Sequence, residues 1–261
     1  MSFKNRFSMR FAQVWRRNLI VYKRIWKINF LPPMLEPIFY LTAFGLGLGS
    51  LIKTVPYRGA EVDYLSFIAP GLIASAVMWQ SFFETTFASF VRMFYQKTFD
   101  AMLSTPLTLE EIIIGEIVWG ATKAFIASVL VLCVVAAFGR AGLPGSLLIP
   151  PVAFLGGLAF ACAGMYFTGI TPNIDMFNLP MFLFITPMFL FSGTFFPIDN
   201  LPVWAGFIAK ATPLYHLTLL IRGLCLGGLG NDAWLSLAYL AVFTAVAATL
   251  ALRAMRRRLV R

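Results

Sequence analysis

Residues 191–230 read FSGTFFPIDNLPVWAGFIAKATPLYHLTLLIRGLCLGGLG. The stretch is too apolar for an aqueous loop and too broken for a single membrane span. Pro197, Pro202 and Pro213 interrupt it, and Asp199, Asn200, Lys210, His216 and Arg222 punctuate it. A spanning helix takes about 20 mostly apolar residues. Non-helical backbone at bilayer depth persists only where protein buries it or a wet cavity meets it. The prolines therefore read as boundaries of two short helices that dip into a membrane from one face and turn back.

The rest of the chain agrees with a membrane setting. Of 261 residues, 59% are hydrophobic and 12% charged, against about 25% charged in soluble domains. Cys133, Cys162 and Cys225 are scattered through apolar segments, with no metal-ligand spacing and no disulfide framework. The net charge of +10 does not point to nucleic acid. Eight Lys/Arg lie in residues 1–27 and five Arg in 253–261, so the charge flanks the apolar region as cytoplasmic ends do.

These features predict an all-α integral membrane protein with six transmembrane helices. Residues 1–30 read as a cytoplasmic amphipathic interfacial helix. Phe3, Phe7, Phe11, Val14, Trp15, Leu19, Tyr22 and Trp26 fall on one arc, opposite Arg6, Arg10, Arg17, Arg24 and Lys27. The spans are expected at about 31–52, 64–91, 112–138, 147–170, 176–192 and 232–252, with the re-entrant segment at about 193–230 between the fifth and sixth. Pro32-Pro33 would sit in the first turn of the first span, where proline is tolerated. Residues 53–63 form a short polar hairpin. The N-terminus, the 92–111 connection and the C-terminus carry fifteen Lys/Arg, against five on the other side (Lys53, Arg58, Arg140, Lys210 and Arg222). Both termini are thus expected in the cytoplasm and the broken stretch outside.

Catalytic chemistry is not encoded in any recognisable pattern. GEIVWGATK (115–123) has the glycine spacing of a phosphate-binding loop but lacks its Lys-Ser/Thr ending and its strand. His216 has no second ligand near it in sequence. The intramembrane charges Glu84, Glu116 and Lys123 are candidates for function because such groups are costly in lipid. Lys123 is expected to pair with Glu84 or Glu116. This pairing fits helix packing, gating, substrate contact or, with fewer groups than such a chain needs, a proton relay. In the 92–111 connection, Lys97-Thr98-Phe99-Asp100-Ala101-Met102-Leu103-Ser104 reads as a short helix stopped before Pro106. It presents Phe99, Met102 and Leu103 as docking knobs for a partner.

Three stretches carry a family resemblance: FVRMFYQKTFDAMLSTPLTLEEIIIGEIVWGATK (90–123), SGTFFPIDNLP (192–202) and ATPLYHLTLLIRGL (211–224). In these the chain resembles the permease subunits of ABC-2 type ABC transporters, and within them the nodulation-protein J group of lipo-oligosaccharide exporters. The resemblance implies a homodimer of permeases with two ABC-type ATP-binding subunits beneath it. ATP and Mg would be bound by those subunits, with no cofactor and no catalytic residue in this chain. Lys97–Ser104 would be the coupling helix, with TPNID (171–175) as a smaller contact. The implied cargo is an amphiphilic lipo-oligosaccharide or glycolipid, exported across a bacterial inner membrane. Export of multiple drugs or polysaccharide is the near alternative, and an ion-coupled carrier using Glu84, Glu116 and Lys123 the alternative of another class. Pro197, Pro202, Pro213, His216 and Arg222 would shape the external mouth, with Lys210, His216 and Arg222 anchoring to lipid headgroups or touching an anionic cargo.

Overall fold

A computed structural model describes residues 9–140, 144–198, 202–230 and 232–259. Phe3, Arg6 and Phe7 of the N-terminal pattern, and Asp199 and Asn200 of the broken stretch, lie outside the described residues. The elements in order are α1 (Phe11–Arg24), α2 (Trp26–Leu46), a β-hairpin of β1 (Thr54–Tyr57) and β2 (Ala60–Asp63), α3 (Tyr64–Tyr95), α4 (Thr98–Leu103) and α5 (Leu109–Ala137). Then follow α6 (Ile149–Ile170), α7 (Ile174–Phe191), α8 (Val203–Lys210), α9 (Pro213–Leu226) and α10 (Asp232–Leu259).

Among the described residues, five helical segments are long and apolar enough to cross a membrane: α3, α5, α6 with the turn before it, α7 and α10. α2 is 21 residues long but is not among them, and it carries Pro32, Pro33 and Pro37 in its interior. Pro32 and Pro33 are expected in a first turn. Instead the helix begins at Trp26, a single residue after α1 ends, and passes through them.

The connections follow local chemistry. β1 and β2 pair antiparallel with Val55 opposite Val62. Arg58 and Gly59 have φ of 52° and 78°, the left-handed pair that matches the twist of a two-residue hairpin. Asp63 caps α3 by accepting from the Ser66 N–H at 3.2 Å. Thr108 and Glu111 form a reciprocal capping box at the start of α5.

α3 is the most enclosed helix. Phe67, Ile68, Ile73, Met78 and Phe82 are fully buried between it and α5, α6 and α9. α7 and α10 expose Phe182, Leu183, Val242 and Val246. Such faces suit lipid, which does not drive apolar side chains inward as water does.

The second span runs past its expected end. Helix continues to Tyr95, so Arg92 belongs to α3 and not to the polar connection.

Candidate functional site

The last third of α3 contains SFFETTFASF (81–90), four buried hydroxyl residues around one glutamate. Two wide turns, Glu84–Ala88 and Val91–Tyr95, bond i to i+5. Wide turns accommodate an extra residue and disturb the regular carbonyl ladder. The hydroxyls take up the carbonyls: Thr85 donates to the Ser81 carbonyl at 2.9 Å and Thr86 to Phe82 at 2.7 Å. Thr168 of α6 donates to the Thr85 carbonyl at 2.6 Å, which ties the turn to its neighbour.

These turns bring Glu84 and Arg92 together against α5. Arg92 Nη1 donates to Glu84 Oε1 at 2.8 Å, and Nη2 and Nε donate to Glu116 Oε2 at 2.5 and 3.0 Å. Lys123 Nζ lies 2.8 Å from Glu84 Oε2. Trp119 Nε1 donates to Glu84 Oε1 at 3.0 Å, and Ser89 Oγ to Glu116 Oε2 at 3.1 Å. From α1, Asn18 Nδ2 donates to Glu116 Oε1 at 2.9 Å. Each carboxylate oxygen has a donor, and the formal charges of Glu84, Glu116, Arg92 and Lys123 cancel. That is the arrangement in which buried charge is least costly.

Of the three intramembrane charges expected to matter, all lie in this cluster. The open choice for Lys123 resolves to Glu84. Glu116 goes instead to Arg92, which the sequence reading had counted with the loop. Asn18, Ser89 and Trp119 were also missed. The signal in the sequence is a cation eight residues beyond Glu84 on the same helix, which runs four residues past its expected end.

α1 packs on α5 because Gly115 lets it. A Cβ there would lie 2.6 Å from Val14 Cβ and 2.9 Å from the Phe11 carbonyl oxygen. Trp15 Nε1 donates to Thr122 at 2.9 Å from the same side. Arg17 Nη1 donates to Asn18 Oδ1 at 2.9 Å; burial pushes the Arg17 guanidinium below its ordinary value, against the pull of Glu116. A cavity of about 480 Å³ opens beside the cluster, lined by Arg17, Tyr22, Asn29, Arg92 and Lys123.

α4 follows α3 directly, through Lys97 in a left-handed conformation (φ 51°). A six-residue helix is not stable by itself, and this one is held from beneath. Phe99 is fully buried and Met102 nearly so, in the cluster that contains Phe90, Met93, Leu109, Ile112 and Phe177. This corrects the expected set of docking knobs: two of the three hold α4 onto the bundle. Lys97, Asp100, Ala101, Leu103 and Ser104 are its outer surface, with Thr98 partly covered. Beside it lies a cleft of about 800 Å³ lined by Lys97, Asp100, Arg253 and Arg257. Arg258 closes the cleft floor by donating to the carbonyls of Thr168, at 2.6 Å, and Thr171.

At the other end, Pro202 precedes α8 and Pro213 opens α9, where the missing N–H removes nothing the helix needs. Pro197 is buried in the loop after α7. His216 is buried too: Nε2 lies 2.9 Å from the Lys210 carbonyl and so must donate, leaving Nδ1 to accept from Ser236 Oγ at 3.1 Å. Its ring stacks on Tyr239 at 4.0 Å. Arg222 is buried with Nε donating to the Phe67 carbonyl at 3.2 Å and Nη2 to Gly193 at 2.7 Å. Both side chains close α9 onto its neighbours, whereas Lys210 is exposed.

Among the described residues no group of three or more His, Cys, Asp or Glu could hold a metal ion.

Residues 9–226 match the ABC-2 type transporter family. The chain is 38% identical to nodulation protein J of Rhizobium leguminosarum bv. trifolii over 97% of this chain and 95% of that protein. It is 35% identical to nodulation protein J of Rhizobium meliloti over 94% and 92%. It is also 25% identical to the inner membrane transport permease YadH of Escherichia coli over 84% and 83%. A helical bundle with apolar outer faces, a short surface helix between its first and second long apolar segments and matches over nearly its whole length together place this chain in the ABC-2 type transporter family.

Proposed function

We propose that this chain is the permease subunit of an ATP-driven exporter, that two copies pair in a bacterial inner membrane, and that a separate ATP-binding subunit docks on α4. In this reading all six of α2, α3, α5, α6, α7 and α10 cross the bilayer. The end carrying α1, α4 and the arginine-rich end of α10 is cytoplasmic, and α8–α9 form the re-entrant hairpin outside. The alternation of the long helices and the gathering of basic residues around α4 support this orientation.

One observation carries the proposal. α4 offers Lys97, Asp100 and Leu103 outward while Phe99 and Met102 fix it to the end of α3 that holds Arg92. A push on α4 from a closing ATPase would pass through Phe90 and Met93 into the wide turns and the charge cluster. Because every charge in the cluster is paired, its rearrangement would exchange partners rather than expose a bare ion. The pairing also speaks against the ion-coupled carrier, which needs a carboxylate free to take up and release its ion.

The cargo we infer is an amphiphilic lipo-oligosaccharide or glycolipid, because the resemblance is to the nodulation-protein J group; polysaccharide and drug-like cargo are the alternatives to be tried beside it. The direct test is co-purification with a candidate ABC-type ATP-binding subunit from the same organism, followed by ATPase stimulation with candidate glycolipids. Binding lost on Asp100→Lys with Leu103→Asp, in a chain that still inserts and folds, is the expected result. Proton-driven transport by the chain alone, without ATP, would overturn the reading.

A further inference from the structure

A cavity of about 220 Å³ lies beneath α9, at the end of the bundle opposite α4, lined by Tyr57, Arg58, Lys210, Tyr215, Thr218 and Arg222. At about 30 Å³ per water this is room for roughly seven waters, or for one tetrahedral oxyanion with part of its hydration. Three observations meet there.

The first is the Arg222 guanidinium. It is 6% exposed, and the acceptors it meets, the carbonyls of Phe67 and Gly193 and the Tyr57 hydroxyl, are neutral. Among the described residues no ion pair joins it to a carboxylate. The rings of Phe67 and Tyr57, 3.9 and 5.5 Å from its central carbon, offset part of its burial. They do not neutralise it, and a buried charge without a counter-charge is costly.

The second is Thr218, whose hydroxyl is buried with no hydrogen-bond partner. Buried polar atoms are rarely left so, and each exception calls for a missing partner. The third is the balance of charge on the walls. Among the described residues, Arg58, Lys210 and Arg222 face one acid, Asp232, which sits 3.3 Å from Arg58. Thr218, its hydroxyl without an acceptor, and Arg222, its guanidinium without a carboxylate among the described residues, both line this small space.

We propose that this cavity binds a phosphate group, with Arg222 as its main donor and the Thr218 hydroxyl and Lys210 completing the site. The group can come from inorganic phosphate or from the headgroup of an anionic lipid. The site does not depend on what the chain exports.

The test uses the full-length chain in phosphatidylcholine nanodiscs, titrated with inorganic phosphate against chloride at fixed ionic strength, with thermal unfolding as the readout. A ligand that binds only the folded state raises Tm saturably. We expect that rise with phosphate and not with chloride. Thr218→Val should raise the half-saturating phosphate concentration about three- to tenfold, the worth of one hydrogen bond, and Arg222→Gln should abolish the response. Should Arg222→Gln fail to fold, Thr218→Val and Lys210→Gln carry the test. Nanodiscs containing phosphatidylglycerol separate the sources. A headgroup occupant gives a wild type more stable in that lipid and blind to added phosphate, an effect lost in Thr218→Val. Identical curves in phosphate and chloride with no effect of phosphatidylglycerol would overturn the site. So would a response that Thr218→Val and Lys210→Gln both leave unchanged.

Discussion

Arg92 Nη2 lies 2.5 Å from Glu116 Oε2, joining the last turns of α3 to α5 at a point where Glu116 has no solvent contact at all. The same guanidinium holds Glu84 at 2.8 Å. One side chain thus neutralises one carboxylate and shares the other with Lys123.

Removing Arg92 leaves Glu116 with hydrogen bonds and the longer-range pull of Arg17 but no ion-pair partner. Breaking one partner of a buried pair costs about 3–5 kcal/mol. Arg92→Met should therefore lower stability by that order, and the double variant Arg92→Met with Glu116→Gln should recover much of it. A double-mutant cycle on unfolding in detergent measures the coupling. Additive losses would mean that the pair contributes nothing beyond packing.

The two sides of α4 should separate by experiment. Phe99→Ala empties a fully buried site and should cost about 3–5 kcal/mol. Asp100→Lys, on the exposed side, should stay within about 0.5 kcal/mol while weakening capture of the ATP-binding subunit. Thermal unfolding and co-purification, run on the same preparations, distinguish them.

Arg258 ties α10 to the carbonyls at the C-terminal end of α6, where the helix dipole favours a cation. Hydrogen bonds to a charged group are worth about 1.5–3 kcal/mol. Arg258→Gln should loosen this end by that amount, and amide exchange should quicken in 166–171 and 253–259 without change around His216.

Gly115 governs how closely α1 approaches α5. Gly115→Ala forces Val14 or the backbone at Phe11 to shift, and overpacking of this kind costs about 1–3 kcal/mol. The displaced α1 carries Asn18 away from Glu116. Stability should fall, and accessibility of a cysteine introduced at Asn18 should rise.

Local chemistry was legible without a structure. Pro202 and Pro213 open helices because proline fixes φ and lacks an N–H, whatever surrounds it. The short helix at 98–103 follows from its sequence and from the Thr105-Pro106 step. The apolar runs that became α3, α5, α6, α7 and α10 were visible for the same reason. Faces were not legible. In helices that are apolar all round, periodicity does not say which side is inside, so Phe99 and Met102 looked like a partner's contacts when they are the chain's own core.

What the sequence alone determined was the membrane class, the apolar segments, the two breaks at 202 and 213 and the need for Glu84, Glu116 and Lys123 to find partners. Tertiary structure decided which partners. Arg92 turns inward because two wide turns rotate it toward α5, and a change of hydrogen-bond register is invisible to a count of residues. The segment at 191–230 keeps its two helices, but Arg222 is held by carbonyls of Phe67 and Gly193, 155 and 29 residues away. Contacts at that separation depend on how the helices pack, and no local pattern encodes them.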